Sequence, residues 1–212
     1  MPVLLRGSSA MIVIPHSYSP ETIARRFEII DELLIHGASW PIIYDKAIPF
    51  AAVIEADVTE INGQLRHRVV ATLEMARHDR DSHIFSVRDF WQDTDALQVE
   101  GVVVDPELQD MGLATALYES LVLHKGITLM SDPMHYESGK ALWKKIARTS
   151  QRLTVFVLDT EQGTFYPYDG SRIRYDGNTI PEEAIWSAHP DAGRAGVILI
   201  AEEGRKHKAK AG

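Results

Sequence analysis

Apolar and polar positions alternate in a readable order along the chain. Ile23, Phe27, Ile30 and Leu34 recur at helical spacing and predict one apolar stripe. Ser19 suits the N-cap, Pro20 the first helical position and Gly37 the stop. A short strand is expected before this helix at residues 11–14 and another after it at 41–44. The runs 50–58 and 65–76 flank Asn62-Gly63, which predicts a hairpin. Residues 78–95 are polar and read as a loop with a short helical turn near Phe90 and Trp91. A strand at 97–104, a helix at 112–124 and a strand at 127–130 follow. Asp132-Pro133 opens a further helix to about Arg148. Residues 153–158 and 164–168 pair across a turn at Thr160 to Gly163, and 196–201 forms a last strand.

Strands and helices mixed in this order predict an α/β (α+β) fold. Residues 1–158 read as one domain. Residues 159–212 read as an extension packed on it, because their apolar content is thin for a separate core. No internal repeat interrupts the pattern.

Composition narrows the picture. Cysteine is absent from the 212 residues, which excludes disulfides, thiolate metal sites and cysteine nucleophiles. No apolar run approaches a membrane span and no signal peptide is read at the start, so a cytoplasmic location is expected. The formal net charge of −8 disfavours nucleic acid and favours basic small molecules or lysine-bearing proteins. Arg205, Lys206, His207, Lys208 and Lys210 depart from that balance and read as a solvated, disordered end.

The informative segment is Val102 to Thr115. An apolar strand ends at Pro106, a short loop follows, and Gly112 opens a helix. The first N–H groups of a helix lack partners and carry the positive end of its dipole. The arrangement predicts an anion cradle for phosphate or pyrophosphate. Gly112 has no Cβ to hold a ligand off the backbone, and Ala114 is nearly as small.

Val104, Pro106, Gln109, Gly112 and Ala114 give Val-x-Pro-x-x-Gln-x-x-Gly-x-Ala. This resembles the acetyl-CoA motif of the Gcn5-related N-acetyltransferase (GNAT) superfamily. The resemblance covers residues 10–158 in element order and 97–147 in motif detail. It implies a mixed, mostly antiparallel central sheet flanked by helices. It also implies that the backbone of Val102 and Val104 contacts pantetheine. Gln109, Asp110, Met111, Gly112, Ala114 and Thr115 would surround the pyrophosphate. Ser131 through Trp143 is also similar to acetyltransferase-like proteins encoded by bacteriophages. By this resemblance acetyl-CoA is the acyl donor, with no metal, and an amine on a small molecule or protein is the acceptor.

Direct attack by an amine needs a base for the ammonium proton and an acid for the leaving thiolate. Glu100 shares a strand face with Val102 and Val104 by the period of two and is the candidate base, directly or through water. Its competing reading is a solvated or ion-paired carboxylate. Gln98 shares that face, and Glu55 and Glu74 are lesser candidates, read as exposed hairpin charge. Many GNAT enzymes place a tyrosine in the last helix, where Trp143 aligns here. An indole N–H donates a hydrogen bond but does not release its proton near neutral pH. Trp143 is therefore expected to pack against the core or the cofactor, with the core preferred, and Tyr136 and Ser138 are the candidate acids, with water as a third option.

Glu137-Ser138-Gly139-Lys140 is not the end of a P-loop, because position 134 is Met. His78 and His83 lack metal-ligand spacing. Two readings stay open: an N-acetyltransferase, and a GNAT-fold binding module with reduced catalysis that acts on a protein partner. A third, an acyltransferase acting on nucleic acid, is kept open only by the basic residues after 204. The region after 158 is left to cover the acceptor side of the cleft or to form a homodimer contact.

Overall fold

The computed structural model describes residues 17–76, 96–131, 137–160, 162–186 and 196–204. The described residues form a mixed α/β structure whose strand pairs are mostly antiparallel. Two compact units are present: residues 1–74 with 101–120, and residues 75–100 with 121–212. The expected strand at 11–14 and the loop at 78–95 lie outside the described residues.

The first unit begins with β1 (Ser17–Tyr18), α1 (Pro20–Arg26), β2 (Phe27–Ile35), β3 (Ala38–Asp45) and β4 (Phe50–Ile61). It continues with β5 (Gln64–Ala76), all but the last two residues of which belong to it. Strands β2 to β5 pair in sequence order, and β1 pairs with β5. Ile23, Phe27, Ile43, Ala52, Ile54 and Val69 form the core on one face, with Tyr18 and Phe50 packed against them. The expected hairpin is present: Asn62 and Gly63 have φ of 53° and 76°, as a two-residue turn of this hand requires.

The helix expected from Ser19 to Gly37 is shorter than its stripe implied. Ser19 caps it, accepting from the Thr22 N–H at 3.2 Å, but it stops at Arg26. From Phe27 the chain is a strand paired with β3, and His36-Gly37 (φ 52° and 80°) is the hairpin turn rather than a helix stop. The isoleucine-rich run Phe27–Ile35 gains a cross-strand ladder this way, broken by one register shift between Ile29 and Asp31, and pairing overrides local periodicity. Ile23 and Phe27 are buried, whereas Leu34 is 79% exposed. Arg26 is ion-paired to the buried Asp45 at the end of β3, which ties down the helix end.

The remaining elements are β6 (Ala96–Val104), a 3₁₀ turn (Pro106–Leu108), α2 (Leu113–Lys125), β7 (Thr128–Met130), α3 (Glu137–Thr149) and β8 (Leu153–Asp159). They end with β9 (Thr164–Phe165), α4 (Glu182–Ile185) and β10 (Val197–Glu203). In the second unit the strand order is β6-β7-β10-β8-β9. The β6–β7 pair is parallel and the others are antiparallel. Residues 159–212 therefore supply β10, which lies between β7 and β8. Ala96, Met130, Leu158, Ile198 and Ile200 form a core cluster with Phe165 against it. The expected helix opening at Asp132-Pro133 is described from Glu137 onward, and its Trp143, Ile146 and Ala147 are buried.

Candidate functional site

The segment from β6 into α2 has the geometry that its sequence predicts. β6 ends at Val104, and the Asp105 N–H donates to the Val70 carbonyl at 2.8 Å. Asp105 caps the 3₁₀ turn, accepting from the Glu107 N–H at 3.0 Å. Its carboxylate is also ion-paired to Arg68 on β5, and Arg68 reaches Glu55 on β4 at 3.3 Å. Three contacts thus fix where the loop starts.

The loop then reverses. Asp110 and Gly112 both hold left-handed backbone, with φ of 70° and 80°. Aspartate tolerates that region better than most residues, and glycine occupies it without strain. The first helical bond of α2 runs from the Ala116 N–H to the Gly112 carbonyl at 3.0 Å. The amides of Leu113, Ala114 and Thr115 therefore precede the helical ladder and lie at the positive end of a 13-residue helix. A Cβ built on Gly112 would meet no protein atom within 4 Å. The turn thus combines backbone donors, a helix N-terminus and open space, the features that an anion site needs.

Of the expected contact residues, Gln109 and Asp110 are exposed, and Val102, Val104, Met111, Gly112, Ala114 and Thr115 are half-buried. All eight belong to the first unit. Met111 differs in one respect: its N–H points to the Leu108 carbonyl at 3.4 Å, a long contact that turns this donor inward. The pairing of β6 with β7 covers Ala96–Gln98 against Thr128–Met130, while β6 runs on to Val104.

Glu100 is exposed on β6, two residues before Val102, and is the last residue of its stretch of the second unit. Gln98 is half-buried. Ser138 is exposed on the first turn of α3, and Tyr136 lies outside the described residues. Trp143 is 3% exposed and lies in the core, the alternative preferred for it over packing against the cofactor. Glu55 is not simple hairpin charge, since it pairs with Arg68.

Sequence reasoning missed the Arg68–Asp105 pair. Asp105 before Pro106 is a legible N-cap signal. Arg68 comes from another strand, and nothing local marks it. Among the described residues no three His, Asp or Glu side chains gather as a metal site, and no helix is long and apolar enough to cross a membrane. No family model matches the chain, and no curated protein matches it.

Proposed function

We propose that the chain is an acetyl-CoA-dependent N-acetyltransferase of GNAT type that transfers an acetyl group to an amine on a small molecule or protein. The observation that carries this reading is the turn at Asp110–Gly112. Its left-handed backbone leads into the N-terminus of α2, with open space where a Gly112 Cβ would stand. That is the shape and charge a pyrophosphate requires. The mostly antiparallel strand pairing and the strand–loop–helix order agree with the same fold family.

In this reading the amides around Gly112 and the start of α2 hold the pyrophosphate, and the backbone of Val102 and Val104 holds the pantetheine arm. Glu100 takes the ammonium proton, directly or through water. The amine nitrogen then bonds to the acetyl carbon as the carbon–sulfur bond breaks. The acylated nitrogen sheds its second proton to water, and the leaving thiolate receives a proton from Tyr136, Ser138 or water.

A second reading rests on Trp143. Its burial leaves no ionisable donor at the position where a tyrosine is usual. That favours a GNAT-fold binding module with reduced catalysis that acts through a protein partner.

Isothermal titration of acetyl-CoA into the wild type and into Gly112→Glu tests the cradle. Binding by the wild type and its loss in the variant support it, and no binding by the wild type refutes it. Turnover on an amine panel, lost in Glu100→Gln, separates the enzyme from the module.

A further inference from the structure

The turn from β6 into α2 is held from within and from outside. Within it, the Glu107 N–H donates to the Asp105 carboxylate and the Leu108 N–H to the Asp105 carbonyl, at 3.0 and 2.9 Å. From outside, two bonds tie Asp105 to β5. One is a backbone bond, from the Asp105 N–H to the Val70 carbonyl. The other is the ion pair between the Asp105 carboxylate and Arg68.

Arg68 lies where the β4–β5 ladder is irregular. The register shifts between Val53 and Ile54, which leaves Val70 as an extra residue on β5. It shifts again between Ile54 and Val58, which sets residues 55–57 against Arg68 alone. Such breaks bend a strand and re-aim its side chains. Here side chains of β5 take over from the ladder. Nδ1 of His67 is 2.9 Å from the Glu55 carbonyl oxygen, and Nη1 of Arg68 donates to the Glu55 carboxylate at 3.3 Å. One nitrogen of the guanidinium is thus engaged by β4 while another reaches Asp105. A planar guanidinium holds its donors at fixed angles, whereas a lysine ammonium is a single charge on a flexible stem. The Asp105 side chain is 13% exposed, so this pair is screened less than one at the surface.

Charge adds a second role. Residues 105–112 carry three acids, Asp105, Glu107 and Asp110, and no lysine or arginine. An anion approaching the turn meets like charge, and Arg68 is a cation that folding brings to this segment from 37 residues away.

We propose that Arg68 is a positioning residue for the anion held at this turn. It acts through Asp105. It fixes the start of the turn, so that the amides at the N-terminus of α2 keep their aim, and it neutralises a carboxylate that would otherwise repel phosphate. The inference rests on the acetyl-CoA reading of the turn given above.

Isothermal titration of acetyl-CoA into variants of the full chain tests it. Arg68→Gln is expected to weaken binding about tenfold, the worth of one hydrogen bond to a charged group. Asp105→Asn keeps an oxygen for the cap and removes the charge. Combined with Arg68→Gln it should restore part of the affinity, because no buried carboxylate is then left unpaired. A residue that served stability alone would lower the melting midpoint, leave the dissociation constant of the folded protein where it was, and show no such rescue. Circular dichroism melts set a temperature at which every variant is folded. Arg66→Gln makes the same charge change two residues along β5, where the side chain bonds Ser17 and Gln64, and should leave binding intact. The inference is overturned if Arg68→Gln binds as tightly as the wild type, if Arg66→Gln loses as much, or if the double variant loses the sum of the two single losses. A wild type that binds no acetyl-CoA refutes the proposed function instead. Titration of inorganic pyrophosphate then decides the role of Arg68: weaker binding by Arg68→Gln than by the wild type supports it, and equal binding, or none, overturns it.

Discussion

Gly112 and Gly177 have nearly the same backbone, with φ of 80° and 85°, and opposite surroundings. A Cβ on Gly112 meets nothing within 4 Å. On Gly177 it would lie 2.8 Å from the Lys144 carbonyl and 2.9 Å from the Arg148 side chain. The same conformation thus does two jobs. At Gly177 it lets the chain pass close against α3, where a side chain would not fit. At Gly112 no protein atom demands a glycine, so the space beside it is free for a ligand. Open space beside a left-handed glycine is not a mark of function by itself, since the hairpin glycines Gly37 and Gly63 share it; what sets Gly112 apart is the helix N-terminus that follows it.

Substitution should separate the two. Gly177→Ala adds a clash to left-handed strain and is expected to destabilise the second unit by about 3 kcal/mol, read as a lowered urea midpoint. Gly112→Ala carries the strain alone and should cost about 1 kcal/mol. Equal losses at the two positions would erase the distinction. Asp105→Ala removes the cap of the 3₁₀ turn and the Arg68 ion pair, for about 1–2 kcal/mol. On the proposed function it should also weaken acetyl-CoA binding by more than Gly177→Ala does, because it loosens the start of the turn.

The smallest effect is silent at neutral pH. Tyr175, buried in the second unit against β8, has its hydroxyl pushed up to about 12, mainly by loss of solvation. A folded-state value above the unfolded one near 10 means that the native state holds this proton more tightly. Its contribution is complete below pH 10 and is lost as pH rises from 10 towards 12. Thermal melts across that window should fall more steeply for the wild type than for Tyr175→Phe. Parallel slopes would remove Tyr175 as the cause.

What was legible in the sequence was local. Asn62-Gly63 marked its hairpin, and the strand, turn and glycine of 102–112 marked the passage from β6 into α2, because each signal sits within a few residues. The run 27–35 misled, since Phe27, Ile30 and Leu34 satisfy a helical stripe while the partner that makes it a strand is the neighbouring β3. The same limit hid Arg68 behind Asp105, 37 residues away, and hid the meeting of Arg152 with Gly204.

The position of β10 has a consequence for the order of events during synthesis. Of the described strands it is made last, yet its neighbours on either side, β7 and β8, were made long before. Until β10 has been added, β7 and β8 each lack the neighbour that the finished sheet gives them. Between the end of β8 at Asp159 and the end of β10 at Glu203 the second unit is made without the strand that joins the two, a state prone to pairing with the wrong chain. Closure waits on a long-range contact, which makes it slow.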